Sequence, residues 1–150
     1  MSDQQLSAAG RAQRPERSEN PRRWNRDALD VFHSAPSLVL QARTGDAPSR
    51  LAVEVGVVVA QGQVFVRAHR GVSSTWYRAT RALGLGVVRV GGTTYEVAFL
   101  DPSAEDDPDL YRDIDDAYIA KYGAAPSRGV RTSPGRDATV AVVPSPDSKA

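Results

Sequence analysis

Arginine, hydroxyl and aromatic side chains crowd into one stretch, Val66-Arg67-Ala68-His69-Arg70-Gly71-Val72-Ser73-Ser74-Thr75-Trp76-Tyr77-Arg78. Chemically this is an anion site beside a flat apolar surface. A strand pattern ends at Ala68, glycine permits a turn, and Ser73 or Ser74 can cap a helix. The first turn of a helix exposes backbone N–H groups that hold phosphate. Arg67, Arg70 and Arg78 surround that helix start, Ser74 adds a hydroxyl donor, and Trp76 and Tyr77 offer the surface. Anion plus ring is the profile of a nucleotide or flavin site. A plainer reading puts Trp76 in the core, makes Tyr77 a half-buried packing residue and leaves the arginines in solvent. The residues alone allow both.

Other chemistries lack their residues. The 150-residue chain has no cysteine, which removes disulfides, thiolate nucleophiles and thiolate metal sites together. His33 and His69 are too few for a histidine-rich zinc site. There is no glycine-rich dinucleotide fingerprint, no phosphate-binding P-loop and no Gly-x-Ser-x-Gly elbow. The acidic residues from Asp101 to Asp116 lack the alternating ligands and central glycine of a calcium loop, so they read as a solvated loop and helix start. The net charge of +1 creates no global field for nucleic acid. Arginine outnumbers lysine, present only as Lys121 and Lys149, as codon bias in a GC-rich genome would produce. No run approaches the roughly 18 apolar residues of a membrane span. Arg22-Arg23 is followed by polar residues rather than an apolar stretch, so it is not read as an export signal. The lack of cysteine is compatible with a cytoplasmic protein.

The elements that must position the arginine-rich stretch are mainly β. Residues 1–20 lack apolar periodicity and are expected to be a disordered basic tail. A solvated tail is preferred there to a nucleic-acid arm, because the charges are mixed and aromatics few. Asn20-Pro21 looks like a helix start, with Trp24, Ala28, Leu29 and Phe32 at helical spacing before Ser34-Ala35-Pro36. Strands are expected over 37–43, 51–60 and 63–68, the last two forming a hairpin across Gln61-Gly62. The run of valines at 57–59 suggests burial on both faces. A helix over 74–83 ends at Gly84, and strands over 85–90 and 93–100 pair across Gly91-Gly92. Asp107-Pro108 opens a helix whose stripe is Leu110, Ile114, Ala117, Tyr118 and Tyr122, ended by Gly123. Residues 124–137 read as loop, 138–143 as a last strand and 145–150 as a frayed tail. The domain is thus 21–144, mainly β with two or three helices, and six short antiparallel strands close most naturally into a small barrel.

Several pieces also occur in a familiar order. They are Val64-Phe65-Val66-Arg67, Gly71, Ser74-Thr75-Trp76-Tyr77-Arg78, Gly91-Gly92, Asp115-Asp116-Ala117-Tyr118 and Lys121-Tyr122-Gly123. Over residues 24–144 they resemble an uncharacterised bacterial family of the flavin-binding split-barrel superfamily. That superfamily includes pyridoxamine-phosphate oxidases and deazaflavin-dependent nitroreductases. The resemblance implies a six-stranded antiparallel split β-barrel, usually a homodimer, with FMN or a deazaflavin at the barrel edge or subunit interface. The deazaflavin branch has a loop reading glycine, small residues, then arginine, here Gly45 to Arg50. It also shares the Trp76-Tyr77 pair. These regions lie around the cofactor phosphate and ring in that branch. The chain departs from the pattern in two places. Val55-Gly56 stands where the family usually has Ile-Trp, and the loop before Arg50 lacks the branch's lysine and serine.

The expected cofactor-binding residues are therefore Arg50, Arg67, Ser74, Trp76, Tyr77 and Arg78. The arginines would hold phosphate, Ser74 would donate to it, and the aromatic pair would flank the ring. One reading is a flavin- or deazaflavin-dependent oxidoreductase acting on a small molecule. The other, motivated by Val55-Gly56 and the lack of an evident acid–base pair, is a small-ligand-binding or accessory protein without turnover.

Overall fold

Asn25 fixes where the first helix begins. Its side chain accepts the Ala28 N–H at 2.9 Å, so α1 spans Arg26–Ser34 rather than starting at Asn20-Pro21. The computed structural model describes residues 23–44, 47–102 and 107–145, without the side chains of 44, 47–51 and 133. The expected N-terminal tail, the Asn20-Pro21 helix start, residues 146–150 and the Arg50 side chain lie outside the described residues. Ser145, expected in the frayed end, is buried, and its N–H is bonded to the Glu96 carbonyl. Trp24 precedes α1 but still packs where its spacing suggested. Its ring meets Phe32 at 4.8 Å and Tyr95 at 5.1 Å, edge to face. Its Nε1 donates to the Val142 carbonyl at 2.8 Å.

The remaining elements follow the hydrophobic alternation and the turn residues. In chain order they are β1 (Leu38–Thr44), β2 (Ala47–Val55), β3 (Val58–Ala60), β4 (Gln63–Arg67), a 3₁₀ turn at Gly71–Ser73 and α2 (Thr75–Leu83). Then come β5 (Leu85–Val90), β6 (Thr93–Leu100), α3 (Pro108–Tyr122), α4 (Arg128–Arg131), α5 (Ser133–Asp137) and β7 (Thr139–Pro144). All paired neighbours are antiparallel, in the order β2-β1-β5-β6-β7-β4-β3. The hairpins at Gln61-Gly62 and Gly91-Gly92 form as their turn residues predict. Asp107 caps α3 by accepting the N–H groups of Asp109 and Leu110. The stretch 124–137, expected to be loop, contains the two short helices α4 and α5.

One expectation is corrected in a way that shapes the molecule. The single strand expected over 51–60 is two strands, β2 and β3, which lie at opposite edges of a seven-stranded sheet. Only Gly56-Val57 joins them, and three backbone steps reach at most about 11 Å. The two edges therefore meet at this corner. The sheet rolls up but is not closed by a hydrogen-bonded ladder, so the six-stranded closed count does not hold.

The end of α3 locks the corner. Lys121 Nζ donates to the carbonyls of Val57 at 2.7 Å and Phe32 at 3.0 Å. Burial pulls its ammonium below the usual lysine range. Tyr122 Oη accepts the Val57 N–H at 3.0 Å and donates to the Pro36 carbonyl at 2.6 Å. Its ring lies directly over Gly56, which has no side chain to displace it.

Two apolar layers follow from the two faces of the strands. Inside the roll, Val64 and Val66 of β4 pack with Phe32, Leu40, Val88 and Val142. On the outer face, Phe65 joins Val58 and Ala141 beneath Leu110, Ile114 and Tyr118 of α3. Strand β7 is accordingly buried on both faces, as the apolar run over 140–143 requires. No described helix is long and apolar enough to cross a membrane.

Candidate functional site

Where β4 ends, the chain turns into α2 and opens a cleft of about 830 Å³. Its walls come from the end of β2, the exit of β4 through Arg70, the first turn of α2, and Tyr118 and Tyr122 of α3. Pro126, Ser127 and Val130 close the far side. The volume falls within the range of small-molecule sites.

Of the residues expected to bind a ligand, Arg67, Ser74 and Trp76 line this cleft together. Ser74 occupies the N-cap position of α2 but makes no side-chain capping bond. The hydroxyl and the first-turn N–H groups are therefore the helix's donors at this end. Trp76 is half-buried and Arg70 is exposed. Tyr77 and Arg78 turn the other way, because successive helical residues point about 100° apart. Tyr77, expected to flank a bound ring, is buried at 6% exposure and does not line the cleft. Its hydroxyl accepts from Arg81 Nη1 at 2.9 Å. Arg78 is exposed beside it, around a second, shallow hollow with Val72 and Arg81. The Arg50 side chain lies outside the described residues.

Arg67 is far more constrained than a solvated phosphate ligand would be. Its side chain is 0% exposed and ion-paired with Asp115 at 2.5 Å. Nε donates to Thr139 Oγ1 at 2.9 Å, and Nη1 also donates to the Val130 carbonyl at 2.9 Å. The guanidinium carbon lies 5.7 Å from the ring centroids of both Tyr111 and Tyr118. Only Nη2 is left without a partner. Glu54, at the rim, accepts from Ser37 Oγ at 2.5 Å.

Sequence reasoning missed Tyr118 and Asp115 as site residues. Period 2 along β4 offered a signal. It puts Arg67 on the face of Phe65, the face that α3 covers, so a buried arginine there needs an acid from α3. Burial pushes the Tyr118 phenol well above its usual value of 10.0, against the opposing pull of the Arg67 guanidinium. A group raised in the folded state contributes stability that is complete below the unfolded value and is lost as the pH climbs through the folded one. Stability is therefore expected to fall as the pH rises above about 10, and Tyr118→Phe to flatten that fall. Urea midpoints on both sides of that pH, in both chains, measure it; parallel declines would show that Tyr118 does not carry the effect.

Residues 28–143 match the family described as an uncharacterized protein conserved in bacteria, DUF2255. The chain belongs to this family. No curated protein matches the DUF2255 chain in sequence. Among solved structures it is similar to a candidate pyridoxamine 5'-phosphate oxidase from Listeria innocua. That pair has a TM-score of 0.53 and 14% identity, covering 81% of this chain and 91% of the other. It is also similar to a conserved hypothetical protein from Mycobacterium tuberculosis, with a TM-score of 0.54 and 12% identity. That match covers 91% of this chain and 87% of the other. At such identities what this DUF2255 member shares with them is the fold.

Proposed function

We propose that the cleft binds a flavin or deazaflavin and that the protein is an oxidoreductase acting on a small molecule. The observation that carries this is the start of α2. Its N-cap serine makes no side-chain capping bond, and it opens beside Trp76 into a cleft with Arg70 at its side. Phosphate suits the N–H groups and hydroxyl there, and Arg70 adds charge. The ring would lie along Trp76 and the apolar wall of Val53 and Val55. Likeness of fold to a candidate pyridoxamine 5'-phosphate oxidase supports the reading. When bound, such a cofactor supplies the hydride or electron transfer, while the chain's own residues hold its phosphate, orient the ring and limit water. A homodimer belongs to the same reading, since β2 is an edge of the sheet.

Binding without turnover is the second reading, and one observation favours it. The Tyr122 ring covers Gly56, so no aromatic projects from the strand at that point of the cleft wall.

Fluorescence titration with FMN, FAD and deazaflavin tests the binding. One of them is expected to saturate at micromolar concentration, with about tenfold weaker binding in Trp76→Ala. No saturable binding, or equal affinity in the variant, would sink the site assignment. Turnover of the reduced cofactor by any substrate would then remove the second reading.

A further inference from the structure

Gly129 lies inside α4 with no backbone reason to be glycine. Its φ is outside the left-handed region, and glycine weakens a helix. The reason is the imidazole of His69. A Cβ on Gly129 would meet His69 Nε2 at 2.4 Å, Cε1 at 2.7 Å and Cδ2 at 2.8 Å. Distances this similar place the Cβ over the face of the ring, above Nε2. An approach along the ring plane would leave both carbons much farther away than the nitrogen. The imidazole therefore lies flat on Gly129. Its nitrogens form hydrogen bonds in the ring plane, so this contact uses none of them.

His69 is exposed and lines the cleft, as do Ser127 and Val130, which flank Gly129 in the chain. Among the described residues, no hydrogen bond or ion pair engages the imidazole. The other charged side chains around the cleft are Glu54, Arg67 and Arg70. Arg67 is balanced by Asp115, and Glu54 accepts from Ser37. Arg70, next to His69 and also exposed, has a guanidinium with no such partner among the described residues. An imidazole with unused N–H groups beside an unpaired guanidinium suits the oxygens of an oxyanion. A ring already seated on glycine also loses little freedom when it binds one.

We infer that His69, held flat by Gly129, is a phosphate-binding residue of the cleft, donating from a ring nitrogen to a phosphate oxygen of the ligand. Arg70 adds the second positive group. This deepens the flavin reading and rests on it for what carries the phosphate. The seat of the imidazole stands on the Gly129 geometry.

Fluorescence titration of the full chain with FMN and riboflavin is the test, because the two share a ring and differ by the phosphate. The native protein is expected to bind FMN about tenfold more tightly than riboflavin. His69→Gln should weaken FMN about tenfold and leave riboflavin within about twofold. Gly129→Ala displaces the ring, and should weaken FMN while sparing riboflavin. Both variants should keep the native urea midpoint, since the imidazole is exposed. Unchanged FMN affinity in His69→Gln overturns the inference. So does an equal loss for FMN and riboflavin, which would put the imidazole against the flavin ring. Native FMN affinity in Gly129→Ala overturns it as well, because the imidazole would then need no seat. If neither flavin binds, the cofactor reading falls and calorimetry with inorganic phosphate decides. Saturable phosphate binding that His69→Gln weakens supports the inference. Phosphate binding that is absent, or equal in the variant, overturns it.

Discussion

Replacing Gly86 by alanine is expected to abolish cooperative folding. Gly86 lies in the middle of the sheet, paired with Ala42 on one side and Val97 on the other. A Cβ there would come 2.3 Å from the Gln41 carbonyl oxygen and 2.9 Å from the Ala42 Cα, with the Phe99 ring at 2.8 Å. Side chains can yield to an added methyl, but two of these three atoms are backbone of β1. Relief means prising β1 from β5, which would cost ladder hydrogen bonds along with the packing. Ordinary overpacking costs about 1–3 kcal/mol. A clash with neighbouring backbone should exceed that and consume much of a domain's total, on the order of 5–15 kcal/mol. Gly84→Ala provides the contrast. Gly84 ends α2 in the left-handed region, at φ +75, with nothing within 4 Å of an added Cβ. Its cost is conformational only, about 1–2 kcal/mol. Far-UV circular dichroism and urea midpoints compare the two. A Gly86→Ala midpoint as high as that of Gly84→Ala would show that β1 and β5 do not approach so closely.

Much of this architecture was legible because local chemistry and tertiary demand agree. Asp107-Pro108 followed by Leu110, Ile114 and Tyr118 gave α3 to the residue, since cap and stripe are both short-range signals. Gly91-Gly92 likewise determined its hairpin. Expectation failed where the deciding partner is distant in sequence. The strand expected over 51–60 carries β-formers through Val57-Val58-Val59, and nothing in strand propensity marks a switch from one sheet edge to the other. Gly56 was its one trace, and it needs Lys121 and Tyr122 to explain it. Helices α4 and α5, at four and five residues, are too short for a 3.6-residue period to register. The candidate site shows the same division. Its location at the start of α2 could be read from glycine, serine and arginine. Which of Trp76 and Tyr77 faces the cleft depends on the rotation of α2, which β1 and its neighbours set and no local pattern encodes.

The second large effect is expected at Asp115, and it should be asymmetric. Asp115→Ala leaves the Arg67 guanidinium, 0% exposed, without its carboxylate. Breaking a buried pair this way costs about 3–5 kcal/mol, and the 21% exposure of the Asp115 side chain places the value toward the lower end. Arg67→Met removes the buried charge instead. Asp115 then keeps partial solvent and Arg136 Nε at 3.5 Å, while the Val130 carbonyl and Thr139 hydroxyl each lose a donor worth about 1 kcal/mol. The apolar methionine stem would pack between Tyr111 and Tyr118 in the space the arginine held. Arg67→Met should therefore cost less than Asp115→Ala. The double variant should sit near Arg67→Met rather than at the sum, because the penalty of Asp115→Ala exists only while the arginine is buried beside it. Urea midpoints of the four chains complete the cycle. Strict additivity would mean that Asp115 does not hold the guanidinium.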